Sequence, residues 1–390
     1  MKIIHLLSNW KWTERSEPVV DLAIAQQTQG ADVSLICGQA PAHCPVTDVA
    51  SNALQKGLLE VQIFPEMSKH FDIFSFFQGR QKIRKVIETE CPDVIHCHMQ
   101  NAHLLAGLAL RKNTTPLTIR TIYTPEQIRR DMRHTWCIRH CTQGIIVVSE
   151  KVKHLYCRQG VSLDAIEVIA PGIDVQRFSP VRPLEQDIDF VKRDDFFVAG
   201  MITRIRETRR LDIPLQALHQ LQNLTPQLRL LLVGRGRPGA FEKVVDQPAT
   251  AMGIRDQIIP VGYCQGDALV AALRKMDVLL YPMPGTDKTC RTVREALAAG
   301  VPVIAPRYGF LPELIQDGVS GRLVDGHPAS FAQALKDLMD SPEYLQRLSQ
   351  GALESARKRF DLSVQAEKTL QLYTRLSQKK NRSPKRDKKT

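Results

Sequence analysis

The sequence lacks any long apolar run. Stretches such as GIIVV at 144–148 and DVLLY at 277–281 are strand-sized, far below the roughly 18–20 residues a membrane-crossing helix needs. No spanning segment is therefore expected. The opening MKIIHLL has no small-residue cleavage site behind its short apolar stretch, so it reads as a first strand and not as a signal peptide. Aromatic residues are few, at 6%. The nine cysteines are odd in number and irregularly scattered, which argues for a reducing compartment. A cytoplasmic protein is expected, with contact to the inner face of the cytoplasmic membrane left open.

What is present fits a soluble globular chain: 43% hydrophobic and 24% charged residues. At 390 residues it is too long for one ordinary core, and two domains are the natural expectation. The net charge is +12, of which +6 comes from the last stretch, KKNRSPKRDKKT at 379–390, leaving +6 for the rest. Such a surface suits an anionic membrane, a phosphorylated substrate or nucleic acid, and charge alone does not choose among them.

Strand-like and helix-like runs alternate from end to end. KIIHLL (2–7), DVSLIC (32–37), DVIHCH (93–98), LTIRTIY (117–123) and GIIVVS (144–149) are followed by FFVAGMI (196–202), LRLLLVG (228–234), QIIPVG (257–262), DVLLYP (277–282) and VPVIAP (301–306). This alternation predicts α/β architecture with parallel sheets. FSPVRPLEQDIDFVKRDD (178–195) has two prolines, many charges and no periodicity, so a domain boundary is expected there. The expected division is 1–180, 181–378 and a disordered basic tail at 379–390. Two Rossmann-like domains facing a central cleft would bind ligands at the carboxyl ends of their strands.

The stretch DKTCRTVREALAAGVPVIA (287–305) places Asp287 eight residues before Glu295. Thr289 is the expected N-cap of a helix running to about residue 299. The N–H groups of Thr289, Cys290 and Arg291 would then favour an anion, with a carboxylate on each side to take hydroxyls. The plainer alternative is a turn aspartate and a solvated helix glutamate. Upstream, VAGMITRIRETRRLDIPLQAL (198–218) sets Arg204, Arg206, Arg209 and Arg210 after a strand, where a diphosphate would be clamped. LLLVGRGRPG (230–239) adds a glycine turn, a weak signal by itself.

In order, VIAPGIDVQRFSP, GMITRIRETRR, LLVGRGR, DVLLYP, the D-x7-EALAAGVPVIAP block and GFLPELIQDGVSGRLV span 168–324. This series resembles the family-4 glycosyltransferases of the GT-B fold. The first half matches more loosely, through PDVIHCH and IIVVSE. The resemblance implies retaining transfer of a sugar from a UDP-, GDP- or ADP-sugar donor, with no cofactor and no essential metal. Arg204 matches the diphosphate-binding arginine, and Arg209 stands where lysine is usual. Glu295 matches the second acid of the paired-glutamate motif, expected on the ribose. Asp287 stands at the first acid, expected on the donor sugar, one methylene shorter than the usual glutamate. Cys290 replaces the usual glycine. The base is expected near Gly262 and Tyr263.

Two departures fall in the first half. The usual glycine-rich loop is SNWKWTERSEP (8–18), without glycine, and bulky Trp10 and Trp12 flank Lys11. They would either stack on a sugar or simply pack. At the end of TIRTIY the usual histidine is Tyr123, a hydrogen-bonding group but a poor base; His96 and His98 are the nearest imidazoles. RHTWCIRHC (133–141) offers His134, Cys137, His140 and Cys141, but no second ligand pair at a zinc spacing, so no metal is expected. With Arg129, it reads as a basic helix on the rim of the cleft, either meeting a phosphorylated acceptor or simply solvated. HFDIFSFFQGRQKIRK (70–85) interleaves phenylalanines and basic residues, which suits either a membrane interface or core plus a solvated face. The expected partners are a nucleotide-sugar and a glycan or lipid-linked acceptor, as in lipopolysaccharide or envelope polysaccharide synthesis, with an anionic membrane allowed and nucleic acid not expected. Two rival readings are a catalytically silent sugar-nucleotide-binding module and a sugar-nucleotide epimerase of the same fold.

Overall fold

A computed structural model of the chain describes all residues except 44–46, 69–72, 111–115, 124–131, 159–165, 286–289 and 383–390. The chain forms two compact units, residues 1–172 with 362–390, and residues 173–361.

The first unit carries β1 (Lys2–Leu7), β2 (Asp32–Cys37), β3 (Glu60–Ile63), β4 (Val94–Cys97), β5 (Leu117–Ile122), β6 (Gly144–Val147) and β7 (Ile166–Val168). They pair in the order β3-β2-β1-β4-β5-β6-β7, all parallel. The second unit carries β8 (Phe197–Ile202), β9 (Leu228–Val233), β10 (Ile258–Gly262), β11 (Val278–Leu280), β12 (Val303–Pro306) and β13 (Gly321–Val324). Their order is β10-β9-β8-β11-β12-β13, again all parallel. In each unit the order reverses beside its first strand, the doubly wound pattern of Rossmann-like folds. Parallel strands need crossovers, and the intervening helices cover both faces. That is why Ile3, Ile4, Leu6 and Leu7 are all buried rather than alternately exposed. The second core is built the same way, from Leu230, Leu232 and Ile304 of the sheet with Leu215, Leu218 and Phe331 of the helices. Each such side chain contributes about 1.5–3 kcal/mol on burial.

The strands expected from sequence form within a few residues of their anticipated ends. Among those not anticipated, β3 and β13 are four-residue edge strands and β7 has three residues. Edge strands carry mixed polar residues and lack a continuous apolar signature.

Two boundary expectations are corrected. Ion pairs tie residues 178–195, where the boundary was expected, to the second unit. Lys192 meets Asp277 at 2.6 Å, Lys275 meets Asp187 at 2.9 Å, and Arg182 meets Asp267. The contact division therefore falls at 172/173 rather than 180/181. Likewise, the helix Leu362–Arg382 was expected mostly in the second domain but packs in the first unit, against the helix Glu17–Thr28. Gln29 donates to the Ser363 carbonyl at 2.8 Å, and Arg375 pairs with Glu167 at 2.6 Å. Residues 379–382, expected to be disordered, close that helix; 383–390 lie outside the described residues.

Tyr373 anchors this helix. Fully buried, its hydroxyl lies 2.6 Å from His96 Nδ1, and Gln26 Nε2 donates to it at 3.4 Å. Tyr373→Phe strands a buried ring nitrogen, at a cost of about 1–3 kcal/mol. Urea unfolding should show a lower midpoint with an unchanged slope; an unchanged midpoint would mean that this bond does not anchor the helix.

Candidate active site

In the second unit the chemistry-bearing residues follow the carboxyl ends of neighbouring strands. Arg204 is exposed just past β8, and half-buried Arg209 ends the short turn Glu207–Arg209. Arg209 Nη1 reaches Met283 Sδ, past the end of β11, at 3.3 Å. The ends of β8, β9 and β10 are bound to one another: Thr203 N donates to Val233 O at 2.9 Å, Ile205 N to Arg235 O at 3.1 Å, and Gly234 N to Gly262 O at 2.6 Å. Gly234 has φ +145°, and a Cβ there would sit 1.7 Å from the Thr203 carbonyl oxygen, so only glycine allows this approach. The glycine turn is thus a packing requirement. Beside it opens a cavity of about 580 Å³ lined by Gly234, Arg235, Phe241, Glu242 and Gly262. Tyr263 is exposed, with the Arg235 guanidinium 4.5 Å from its ring centre.

The helix after β11 runs Arg291–Ala298, with buried Cys290 in the capping position and no side-chain cap. The expected cap, Thr289, and the expected sugar-binding Asp287 lie outside the described residues. Glu295 is buried, and Arg291 Nε donates to its Oε1 at 2.8 Å. The solvated-glutamate alternative is therefore overturned. One carboxylate oxygen is held one helical turn away by a cation, which fixes the rotamer of the other. Cys290 packs closely against Gly285, and its Sγ would lie 2.5 Å from a Cβ there.

In the first unit the loop after β1 folds against the helix Val49–Gln55. Val49 N donates to Trp10 O at 2.8 Å, and Lys11 bridges Asp48. Lys56 Nζ lies 5.2 Å from the centre of the Trp12 ring. A cation thus lies over one face of that indole. Trp10 is half-buried and Lys11 exposed. Arg129 lies outside the described residues. The helix Met132–Cys141 buries His134 and Cys137, with His134 Nε2 3.1 Å from the Tyr156 hydroxyl. That bond is structural, and no three-ligand group forms there among the described residues.

The group that does form is His5, His96 and His98, whose candidate ligand atoms lie within 4.8 Å of one another. All three are buried. His5 Nδ1 is 2.8 Å from His98 Nε2, and His5 Nε2 is 2.8 Å from Gln26 Oε1. His98 Nδ1 is 2.9 Å from the Tyr123 hydroxyl. His96 reaches Thr121 Oγ1 and the Tyr373 hydroxyl, each at 2.6 Å. Every ring nitrogen thus has a protein partner, and a metal ion would have to break these bonds to find a lone pair. Fully buried Arg120, which donates to Cys97 O at 3.2 Å, lies among them. Sequence reading missed Gln26, His5, Arg120 and Tyr373. Their signal was a polar residue inside an otherwise apolar strand or helix face, which demands a partner.

Burial pushes His5 down to about 4. Burial also holds His96 and His98 well below the usual imidazole range, reinforced by the other imidazoles and then by Arg120. A histidine kept neutral in the fold binds more protons when unfolded, so stability rises with pH through this window. The contribution is complete above about 6.5, the unfolded value, and is lost progressively as pH falls toward about 4 for His5. The melting temperature should drop between pH 7 and pH 5. His5→Asn should lower it at pH 7 but flatten the pH dependence, and parallel wild-type and variant curves would refute this origin.

Residues 19–177 match the family described as Glycosyltransferase Family 4, and residues 185–355 match Glycosyl transferases group 1. A D-inositol 3-phosphate glycosyltransferase of Stackebrandtia nassauensis is 30% identical over 297 residues, covering 74% of this chain and 65% of the relative. The chain spans about three fifths of the length of several curated relatives of that name. Among solved structures, Anabaena Alr3699/HepE in complex with UDP has a TM-score of 0.73 at 16% identity, covering 96% of this chain and 100% of the other. The apo lipopolysaccharide outer core galactosyltransferase WaaB has a TM-score of 0.72 at 16% identity, with 96% and 100% covered. These two likenesses are likenesses of fold. No described helix is long and apolar enough to cross a membrane. Two doubly wound units and two successive family matches lead to one assignment: the chain has the GT-B fold and is related to the family-4 glycosyltransferases.

Proposed function

We propose that the protein transfers a sugar, with retention, from a UDP-, GDP- or ADP-sugar to a glycan or lipid-linked acceptor in lipopolysaccharide or envelope polysaccharide synthesis. One observation carries the reading. Arg204 and Arg209 after β8, the cavity beside Gly262 after β10, and ion-paired Glu295 after β11 all lie on the carboxyl side of one parallel sheet, around its switch in strand order. Ligands bind there in open α/β sheets.

In this reading the two arginines stabilise the charge that develops on the leaving diphosphate. Glu295, oriented by Arg291, accepts hydrogen bonds from the ribose, and Asp287 contacts the donor sugar. The cavity beside Gly262 takes the base, with the Arg235–Tyr263 pair at its rim. These protein groups supply the electrostatic work, so no metal is required. The first unit presents the acceptor, with Tyr123 and His98 at the ends of β5 and β4. The relatives' names support a nucleotide-sugar donor and a phosphorylated or lipopolysaccharide-like acceptor.

Calorimetric titration with UDP-, GDP- and ADP-sugars tests the seat. Arg204→Ala and Glu295→Ala should each weaken the preferred donor about tenfold or more, the value of a charge-assisted hydrogen bond. Unchanged affinity in both variants would remove the seat from this face. Donor turnover without any acceptor would favour the epimerase, and binding without turnover the silent module.

We place the protein at the inner face of the cytoplasmic membrane. Phe74 and Phe77, on the helix Ile73–Glu90, are 79% and 58% exposed and sit three residues apart on one face near exposed Lys85. Aromatic groups beside basic ones suit an anionic interface. Cosedimentation with phosphatidylglycerol vesicles should fall severalfold in Phe74→Ser/Phe77→Ser. Equal pelleting of wild type and variant would refute this contact.

A further inference from the structure

The buried polar groups of the first unit form a chain with a direction. The amide oxygen of Gln26 can only accept, so the nitrogen facing it at 2.8 Å, His5 Nε2, carries the proton. A neutral imidazole has one donor and one acceptor, so His5 Nδ1 accepts, and His98 Nε2, 2.8 Å away, donates. His98 Nδ1 then accepts as well. The hydrogen bond at 2.9 Å therefore receives its proton from the Tyr123 hydroxyl. The other branch agrees in sense. Gln26 Nε2 donates to the Tyr373 hydroxyl, which donates to His96 Nδ1, and His96 Nε2 donates to Thr121 Oγ1. The rings are held for this. His5 and His98 stack with centres 5.1 Å apart at 17°, and His98 and Tyr123 with centres 6.1 Å apart at 27°. Burial keeps the chain neutral, with His5 at about 4 and His98 well below the usual range. Arg120, a buried cation close to His96 and His98, opposes a second proton on either ring.

We infer that Gln26, His5 and His98 are positioning residues that commit the phenolic proton of Tyr123 inward, so that the phenol oxygen acts as a hydrogen-bond acceptor for the attacking hydroxyl of the acceptor substrate. This rests on the glycosyltransferase reading and adds a device to it. The phenol orients the hydroxyl through a lone pair and takes no proton from it. It can do so without being a base, which resolves how a tyrosine can stand where a histidine is usual. Tyr123 sits just past the carboxyl end of β5 and His98 just past β4, the side on which ligands bind in such sheets. Gln26 and His5 lie deeper in the unit and touch no substrate. Their effect passes only through the proton they fix.

The wild-type chain alone decides the direction. In long-range ¹H–¹⁵N spectra of the ¹⁵N-histidine-labelled full chain at pH 7, His5 and His98 should both be protonated on Nε2 and not on Nδ1. Variants then test the use. Asn at position 98 can place an amide oxygen where Nδ1 was and keep the Tyr123 bond, whereas Gln reaches the Nε2 position and loses it. Release of nucleoside diphosphate is followed with the donor identified by calorimetry, using water and D-inositol 3-phosphate as hydroxyl probes. Tyr123→Phe and His98→Gln should lower kcat about tenfold or more at unchanged donor affinity, and His98→Asn should retain most of it. Protonation of His98 on Nδ1, or equal losses in His98→Asn and His98→Gln, would overturn the inference while leaving donor binding intact. A wild-type chain that binds or consumes no donor would overturn the glycosyltransferase reading itself, and with it this use of Tyr123, whatever the tautomers.

Discussion

A strand buried on both faces has no solvent to satisfy a polar side chain, so each such group must find a protein partner. The first sheet places His5 in β1, His96 in β4, and Arg120 and Thr121 in β5, all inside the parallel layer. Register sets His5 beside His96 across β1 and β4. The helices then supply what the strands lack: Gln26 from the helix after β1, and Tyr373 from the helix that closes the chain. The return of residues 362–382 to the first unit follows from this requirement as much as from apolar packing.

The second unit meets the same constraint differently. Its strands are almost purely apolar, and its polar groups begin where the strands stop. Main-chain bonds join the ends of β8, β9 and β10, and glycine at 234 lets two backbones approach within contact that any side chain would block. Arg204 and Arg209 follow the joined end of β8, and the ion-paired Glu295 lies on the helix after β11. The Arg291 contact at 2.8 Å restrains the Glu295 carboxylate through Oε1.

The two units thus divide the chemistry by charge. The second gathers cations and an ion-paired carboxylate beyond the ends of neighbouring strands. The first holds a neutral hydrogen-bonding cluster, with His5, His96 and His98 kept uncharged by burial. A neutral, oriented surface suits a hydroxyl, as a cationic one suits a diphosphate.

Alternating apolar and amphipathic runs were enough to specify two parallel α/β units, because period and length report burial on both faces. The order of the motif blocks was enough to pick out Arg204, Arg209 and Glu295, which follow the ends of neighbouring strands. Sequence could not show that residues 178–195 are pinned by Lys192, Asp187 and Arg182, since their partners lie 85 to 88 residues away. Nor could it show that Tyr373 meets His96 across 277 positions. Ion pairs and buried hydrogen bonds join residues that no local period connects. The path of the last helix, the enclosure of Glu295 and the histidine chain behind Tyr123 were therefore decided only when the strands were laid side by side.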